Sequence, residues 1–142
     1  MQEKTLADFP LQAYDKLRYA DTDRQGHVNN ATFATFLETG RVEFIYHREA
    51  PLLAEGHSFV IASMHINFIR EIHWPGRVEI GTGITKIGNS SVGVYQQLFQ
   101  GDICVASAET VIVQVSDQTA RPAPLTEAAR ASLQRWFISP ED

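Results

Sequence analysis

The stretch ATFATFLETGRVEFIYH, residues 31–47, decides the architecture. Phe33, Phe36, Leu37, Gly40 and Phe44 recur at i, i+3, i+4, i+7 and i+11, which is one face of an α-helix. Asn29 or Asn30 is a competent N-cap, because a short amide side chain can accept from a free amide of the first turn. Glu38 with Arg41, and Glu43 with His47, stand at the spacings where helical side chains meet. Phe44, Ile45 and Tyr46 widen the apolar surface near the end. A helix with so many large apolar groups is buried rather than laid on a surface. Gly40 on that face costs roughly 1 kcal/mol relative to Ala, and its position predicts the close approach of a strand backbone. Ala50-Pro51 ends the helix.

The flanking chain reads as strand. Gln12 to Ala20 is a candidate first strand, with Ala13, Asp15, Leu17 and Tyr19 on one face; residues 1–10 before it read as an irregular arm. From Ser58 to Ser116 the chain is β. Val60, Ala62, Met64, Ile66 and Phe68 alternate with Ile61, Ser63, His65 and Asn67. Trp74-Pro75-Gly76 is a turn, and Val78, Ile80, Thr82 and Ile84 alternate again. Gly88-Asn89-Ser90-Ser91 is a hairpin turn. Val92, Val94, Gln96 and Leu98 follow, then a turn at Gln100-Gly101-Asp102 and a long strand from Ile103 to Val115. Thr126 can cap a short helix from Glu127 to about Trp136. Strands joined by tight turns are expected to be antiparallel neighbours. One long buried helix on one long antiparallel sheet is an α+β layer arrangement. Its length of 142 residues makes one domain, 1–142, the simplest organisation.

Composition narrows the function. A net charge of −5 argues against nucleic acid as the main partner. No apolar run approaches the ~18 residues needed to span a bilayer, and the N-terminus lacks the apolar core of a signal peptide. Cys104 is the only cysteine, in the apolar run Ile103 to Ala106, and it reads as a buried inert thiol in a reducing, cytoplasmic compartment. The five His are scattered with no helical His pair, so no metal site is expected. No Gly-x-Ser-x-Gly, Walker or Rossmann pattern occurs.

Chemistry concentrates just before the helix, in Asp21-Thr22-Asp23-Arg24-Gln25-Gly26-His27-Val28-Asn29-Asn30. A carboxylate beside a helix N-terminus can attack a carbonyl, or activate water, while the helix end holds the oxygen that becomes negative. Asp23 fits the first role and the amide near Asn30 the second; an Asx-turn is the ordinary alternative for Asp23. Asp21 reads as a scaffold for loop amides. Gly26 gives a sharp turn or a close approach to ligand. Asn29 and Asn30 divide between capping and ligand contact. His27 has open roles: polarising the carbonyl, orienting water, holding Asp23 or fixing the loop. Glu38 is a further carboxylate, on the helix itself, and Arg41 within reach favours a structural ion pair.

Arg18-Tyr19-Ala20-Asp21-Thr22-Asp23, then Gly26-His27-Val28-Asn29-Asn30, then Phe33, Phe36-Leu37-Glu38 and Arg41 resemble the hot-dog thioesterases, and most of all the 4-hydroxybenzoyl-CoA thioesterase-like family. The resemblance spans nearly the whole chain. It implies a sheet wrapped around a central helix, a homodimer or homotetramer, and an acyl-CoA thioesterase working without cofactor or metal. It assigns Asp23 as nucleophile or general base, the amide near Asn30 as oxyanion donor, and the site to a dimer interface. The segment is also similar to Asp-x-Asn-x-His-Val-Asn-Asn of plant acyl-ACP thioesterases, but Gln25 stands where that family has Asn. Hot-dog hydratases show Asp-x4-His, whereas only three residues separate Asp23 from His27. An acyl-ACP thioesterase and a non-catalytic acyl-CoA-binding module remain the alternatives. Gly26, Asn29, Met64 and His65 are candidate substrate contacts. Phe33, Phe36, Phe59, Met64 and Phe68 are candidates for the acyl pocket, and Lys86, Arg70, Arg77 and Arg121 for the phosphates of CoA.

Overall fold

The computed structural model describes residues 4–139. Helix α1 runs Asn30–Ile45, and its buried residues are Phe33, Phe36, Leu37, Gly40, Arg41, Phe44 and Ile45. The apolar face read from the spacing is therefore the face that packs. The strands are β1 Leu11–Lys16, β2 His57–Phe68, β3 Arg77–Ile87, β4 Ser91–Gln100 and β5 Ile103–Ser116, and a short helix α2 covers Glu127–Arg135. All five strands form one antiparallel sheet in the order β1-β3-β4-β5-β2. A long helix held in the curve of that sheet, with a short C-terminal helix, is the α+β hot-dog arrangement.

Two expectations change. The first strand stops at Lys16, because Tyr19–Asp21 turns into a 3₁₀ helix tied off by Arg18 and Asp21. The strands on either side of Trp74-Pro75-Gly76 are not neighbours. β2 pairs with β5 and β3 with β1. The connection between them crosses the open end of the curve, where Val28 N donates to Ile72 O at 2.9 Å and Leu17 N to Gly76 O at 2.9 Å. The reactive loop is thereby sewn to that crossing. The Trp74–Pro75 bond is cis.

The alternation in β2 also breaks. Ile61 lies opposite Ile112 and Ser63 opposite Val111, so Ala62 is the extra residue of a bulge. A bulge shifts the side-chain phase by one. Phe59 therefore packs inward before it, and Ile66 inward after it.

The core divides along α1. Phe33, Phe36 and Leu37 pack with Leu17, Ile72, Ile80 and Leu98 near the helix start. Phe44 and Ile45 pack with Ile84, Ile112, Leu133 and Trp136 near its end. The sheet's other face is covered by the chain's flanks: Phe9 and Ile138 join Tyr95 and Phe99 there. Gly40 is the tight point. A Cβ there would lie 2.6 Å from Gln96 Nε2, 2.6 Å from Ile80 Cγ2 and 2.8 Å from Thr82 Oγ1. What comes close is a set of strand side chains, not the strand backbone.

Cys104 is half-buried and its Sγ lies 3.4 Å from Ala106 O. No helix among the described residues is long and apolar enough to cross a membrane.

Candidate active site

The loop before α1 is fastened at its base by Asp21. Arg18 N donates to Asp21 Oδ2 at 2.9 Å, and Arg18 Nη2 to Oδ1 at 2.8 Å. Burial pushes the Asp21 carboxyl up, but the hydrogen bonds and charge of Arg18 outweigh it and hold it below its ordinary value. Asp21 O then accepts from Asn29 N at 2.8 Å. Between these points the chain doubles back. Thr22 bridges Val28, Asp23 N donates to His27 O at 2.7 Å, and Gly26 turns at φ 89°. That left-handed backbone is cheap only without a Cβ.

Asp23 faces the cavity with its two oxygens unequal. Oδ1 accepts from Gln25 N at 2.9 Å and from His27 N at 3.3 Å. Among the described residues Oδ2 receives no hydrogen bond. The Asx-turn and the free carboxylate oxygen therefore coexist on one residue.

The helix start is similarly divided. Asn29 is the N-cap, and its side chain accepts from Ala31 N at 2.9 Å. Thr32 N donates to Asn29 O at 2.9 Å. Asn30 N–H is left without an acceptor among the described residues. An unpaired amide at the positive end of a helix is a donor for an oxyanion.

Asp23, His27 and Asn30 line one cavity of about 300 Å³, with Phe33, Phe68 and Arg70 in the same wall. The Phe33 and Phe68 rings meet edge to face at 5.1 Å. A second cavity of about 470 Å³ shares Ile69, Arg70 and Glu71 with the first and extends past His73 and Gln100. Arg70 is the one cation proposed for CoA phosphates that borders both. Arg77 sits over the Tyr14 ring at 4.6 Å, and Arg121 is exposed in the chain after β5.

Other candidates fall elsewhere. Met64, His65 and Lys86 line a separate cavity of about 380 Å³ beside Tyr95 and Glu109. His65 Nε2 is 3.2 Å from Asn67 Oδ1, and Asn67 donates to Ser107 Oγ at 3.2 Å. Glu38 and Arg41 do not form the expected ion pair among the described residues. Arg41 is only 4% exposed and its Nη1 has no hydrogen-bond partner. Burial lowers its pKa, with Glu38 pulling the other way. Spacing along the helix was right, but Arg41 turns inward while Glu38 stays exposed. Both border a further cavity of about 440 Å³ beside Val60 and Ile61. No metal-binding group of His, Cys, Asp and Glu occurs among the described residues.

One neighbour of the site was not visible in the sequence. Glu71 Oε2 lies 3.2 Å from His27 Nε2 and 3.5 Å from His73 Nε2. The two imidazoles stand edge to face with centroids 5.5 Å apart. Glu71 and His27 are far apart in sequence, and only the strand crossing brings them together.

The family model of the thioesterase-like superfamily matches residues 17–137, from the loop through α2. The chain belongs to this family. It is a hot-dog thioester hydrolase by that membership. The acyl-CoA thioester hydrolase YbgC of Escherichia coli is 27% identical over 135 residues, covering 92% of this chain and 98% of that protein. A thioesterase from Thermus thermophilus, solved with coenzyme A and Zn, is 33% identical with a TM-score of 0.78, covering 89% of this chain and 98% of that one. A predicted thioesterase from Bacillus stearothermophilus superposes with a TM-score of 0.83 at 28% identity, over 92% of this chain and 98% of its own.

Proposed function

We propose that this protein hydrolyses an acyl-CoA thioester to the free acid and CoA, with Asp23 as nucleophile or general base and Asn30 N–H as oxyanion donor. The observation that carries the reading is the single cavity lined by both Asp23, one of whose oxygens takes no hydrogen bond among the described residues, and Asn30, whose amide is likewise unpaired among them. Attack needs the first, and the tetrahedral oxygen needs the second. As nucleophile, Asp23 forms a bond to the acyl carbon, the C–S bond breaks, and water then cleaves the mixed anhydride. As base, Asp23 takes a proton from the water that attacks the same carbon. Either route consumes one water and releases one thiol. Phe33 and Phe68 give the acyl group an apolar wall, and Arg70 gives the carrier a cation at the adjoining opening.

The active unit is a homodimer in this reading. β2 is an edge strand, paired on one side only among the described residues. Val60, Ile61 and Phe68 on it are 45%, 50% and 51% exposed. A long apolar edge left open is a template for a second strand. A second copy is the occupant in this reading, because a strand laid antiparallel against its own copy about a two-fold axis pairs both edges alike. Cytoplasmic residence accords with the single thiol.

The test is thiol release over short, long and aromatic acyl-CoAs, with acyl-ACP substrates and Asp23→Asn alongside. Release abolished in Asp23→Asn supports the assignment, and wild-type turnover by that variant sinks it. Saturable acyl-CoA binding without release would instead make the chain a binding module.

A further inference from the structure

We infer that the cavity between the second half of α1 and the start of β2 is a binding site for a free carboxylic acid with an apolar tail, and that Arg41 holds its carboxylate. No residue of this cavity lines the Asp23 cavity. Asn30 and Arg41 lie three turns apart on α1, about 16 Å along its axis. The site is therefore separate from the reacting centre, and binding there does not rest on the hydrolase reading.

The cation comes first. Arg41 stands on the buried stripe of α1, between Leu37 and Phe44. Its side chain is almost wholly out of water, and its Nη1 has no hydrogen-bond partner. No ion pair reaches it among the described residues. A buried charge without a partner is costly. Burial works against the Arg41 charge, and Glu38, exposed on the same helix, favours it only from beyond ion-pair distance. What such a guanidinium lacks is an anion that can enter the cavity it borders. A carboxylate offers two acceptor oxygens to the planar fork of an arginine.

The walls supply the other half of the ligand. The cavity holds about 440 Å³, within the range of small-molecule sites. Val42 and Tyr46 on α1 line it together with Phe59 and Ile61 on β2. Phe59 packs inward ahead of the bulge at Ala62, and Ile61, two residues on, shares that side of the strand. Yet Val42, Tyr46 and Ile61 are all exposed. Helix α1 thus fails to close on this end of the sheet, and large apolar side chains stand in water around one dry cation. Apolar side chains clustered at a concavity with a single charge mark a ligand site. A tail covers the walls while the head reaches Arg41. On the hydrolase reading, the ligand belongs to the class of molecule that the reaction releases.

Isothermal titration calorimetry with octanoate tests this, with 1-octanol and acetate as controls. Octanoate should bind saturably. Octanol should bind about tenfold to a hundredfold more weakly, the worth of a hydrogen bond to a charged group. Acetate should bind at least about tenfold more weakly for want of a tail. Arg41→Met keeps an unbranched side chain and removes the cation, so octanoate should weaken about tenfold or more while octanol is unaffected. Glu38→Gln removes the competing anion that borders the cavity and should tighten octanoate binding. Asp23→Asn should bind octanoate as the parent does. No saturable binding by the parent, or octanol bound equally well, overturns the inference. So does unaltered octanoate binding in Arg41→Met, and a monomeric mass for that variant would then give the cation to the dimer. Weaker binding in Glu38→Gln overturns it too, as does loss of binding in Asp23→Asn, which would move the acid to the reacting centre. Should Arg41→Met fail to fold, Glu38→Gln and the octanol comparison decide. None of these measurements uses turnover, so a chain that releases no thiol fails the hydrolase reading alone.

Discussion

Replacing Gly40 with Ala isolates the tightest contact between α1 and the sheet. On an exposed helix the change would stabilise by about 1 kcal/mol, the propensity difference between the two residues. Here the new methyl would sit 2.6 Å from Gln96 Nε2 and 2.6 Å from Ile80 Cγ2. Gln96 is fully buried, and its Nε2 donates to Leu37 O at 2.9 Å and to Thr82 Oγ1 at 3.0 Å. Displacing that amide leaves buried polar groups unpaired, at about 1–3 kcal/mol. Forcing Ile80 aside adds about 1–3 kcal/mol of overpacking. Set against the gain in propensity, the net loss is about 1–5 kcal/mol. At this chain length each kcal/mol moves Tm by about 2–4 °C, so a mid-range loss of about 3 kcal/mol lowers it by about 6–12 °C. Thermal unfolding by circular dichroism, with urea denaturation beside it, measures the change. A variant as stable as the parent, or more stable, refutes the reasoning: it would mean that α1 can lift off the sheet at little cost.

Asp23→Asn should leave Tm within about 1 °C, because Asn keeps the Oδ1 acceptor for the Gln25 and His27 amides, while turnover falls at least about a hundredfold, the low end for losing a positioned base. A matching loss of stability would mean that the carboxylate serves the loop rather than the reaction. Asp21 titrates lower in the fold than in the unfolded chain, so its contribution to stability is full above the unfolded value near pH 4 and is lost as pH falls through the folded value. Asp21→Asn should therefore be less stable at pH 7 and show a shallower loss below about pH 4; an acid-denaturation slope equal to the parent's counts against this. Ile61→Glu places a charge on the open edge of β2; with the proposed dimer built on that edge, light scattering should give a dimer for the parent and a monomer for the variant, with thiol release falling in step. Unaltered mass for the variant would remove β2 from the interface.

What was legible in the sequence was local or periodic. The helix declared itself because Phe33 to Phe44 repeat with the helical period, and burial enforces that period. The cap and loop were legible because Asn29 and Gly26 act on residues within three positions of themselves. Contacts made by the curvature of the sheet were not. Glu71 reaches His27 only because β2 lies at the far edge and the chain must cross back to reach β3. The turn at Trp74-Pro75-Gly76 looked like a hairpin because composition specifies bending and not which strand is met afterwards. Arg41 misled for a related reason. Spacing says which helical neighbours can touch, but the wish of a helix to bury its stripe decides where each side chain goes.

The outer face of β3 carries Gly81 and Gly83, and a Cβ at these positions would collide with Phe9 and Ile138 respectively. Two alternate strand residues are about 7 Å apart. Phe9 and Ile138 are therefore anchored to adjacent seats on a single strand, so the stretch of chain between them runs close to a closed ring. A ring has no privileged starting point. Joining the flanks beyond Phe9 and Ile138 by a short linker and opening the chain at the exposed Gly101-Asp102 tip would preserve every strand pairing and the loop that carries Asp23.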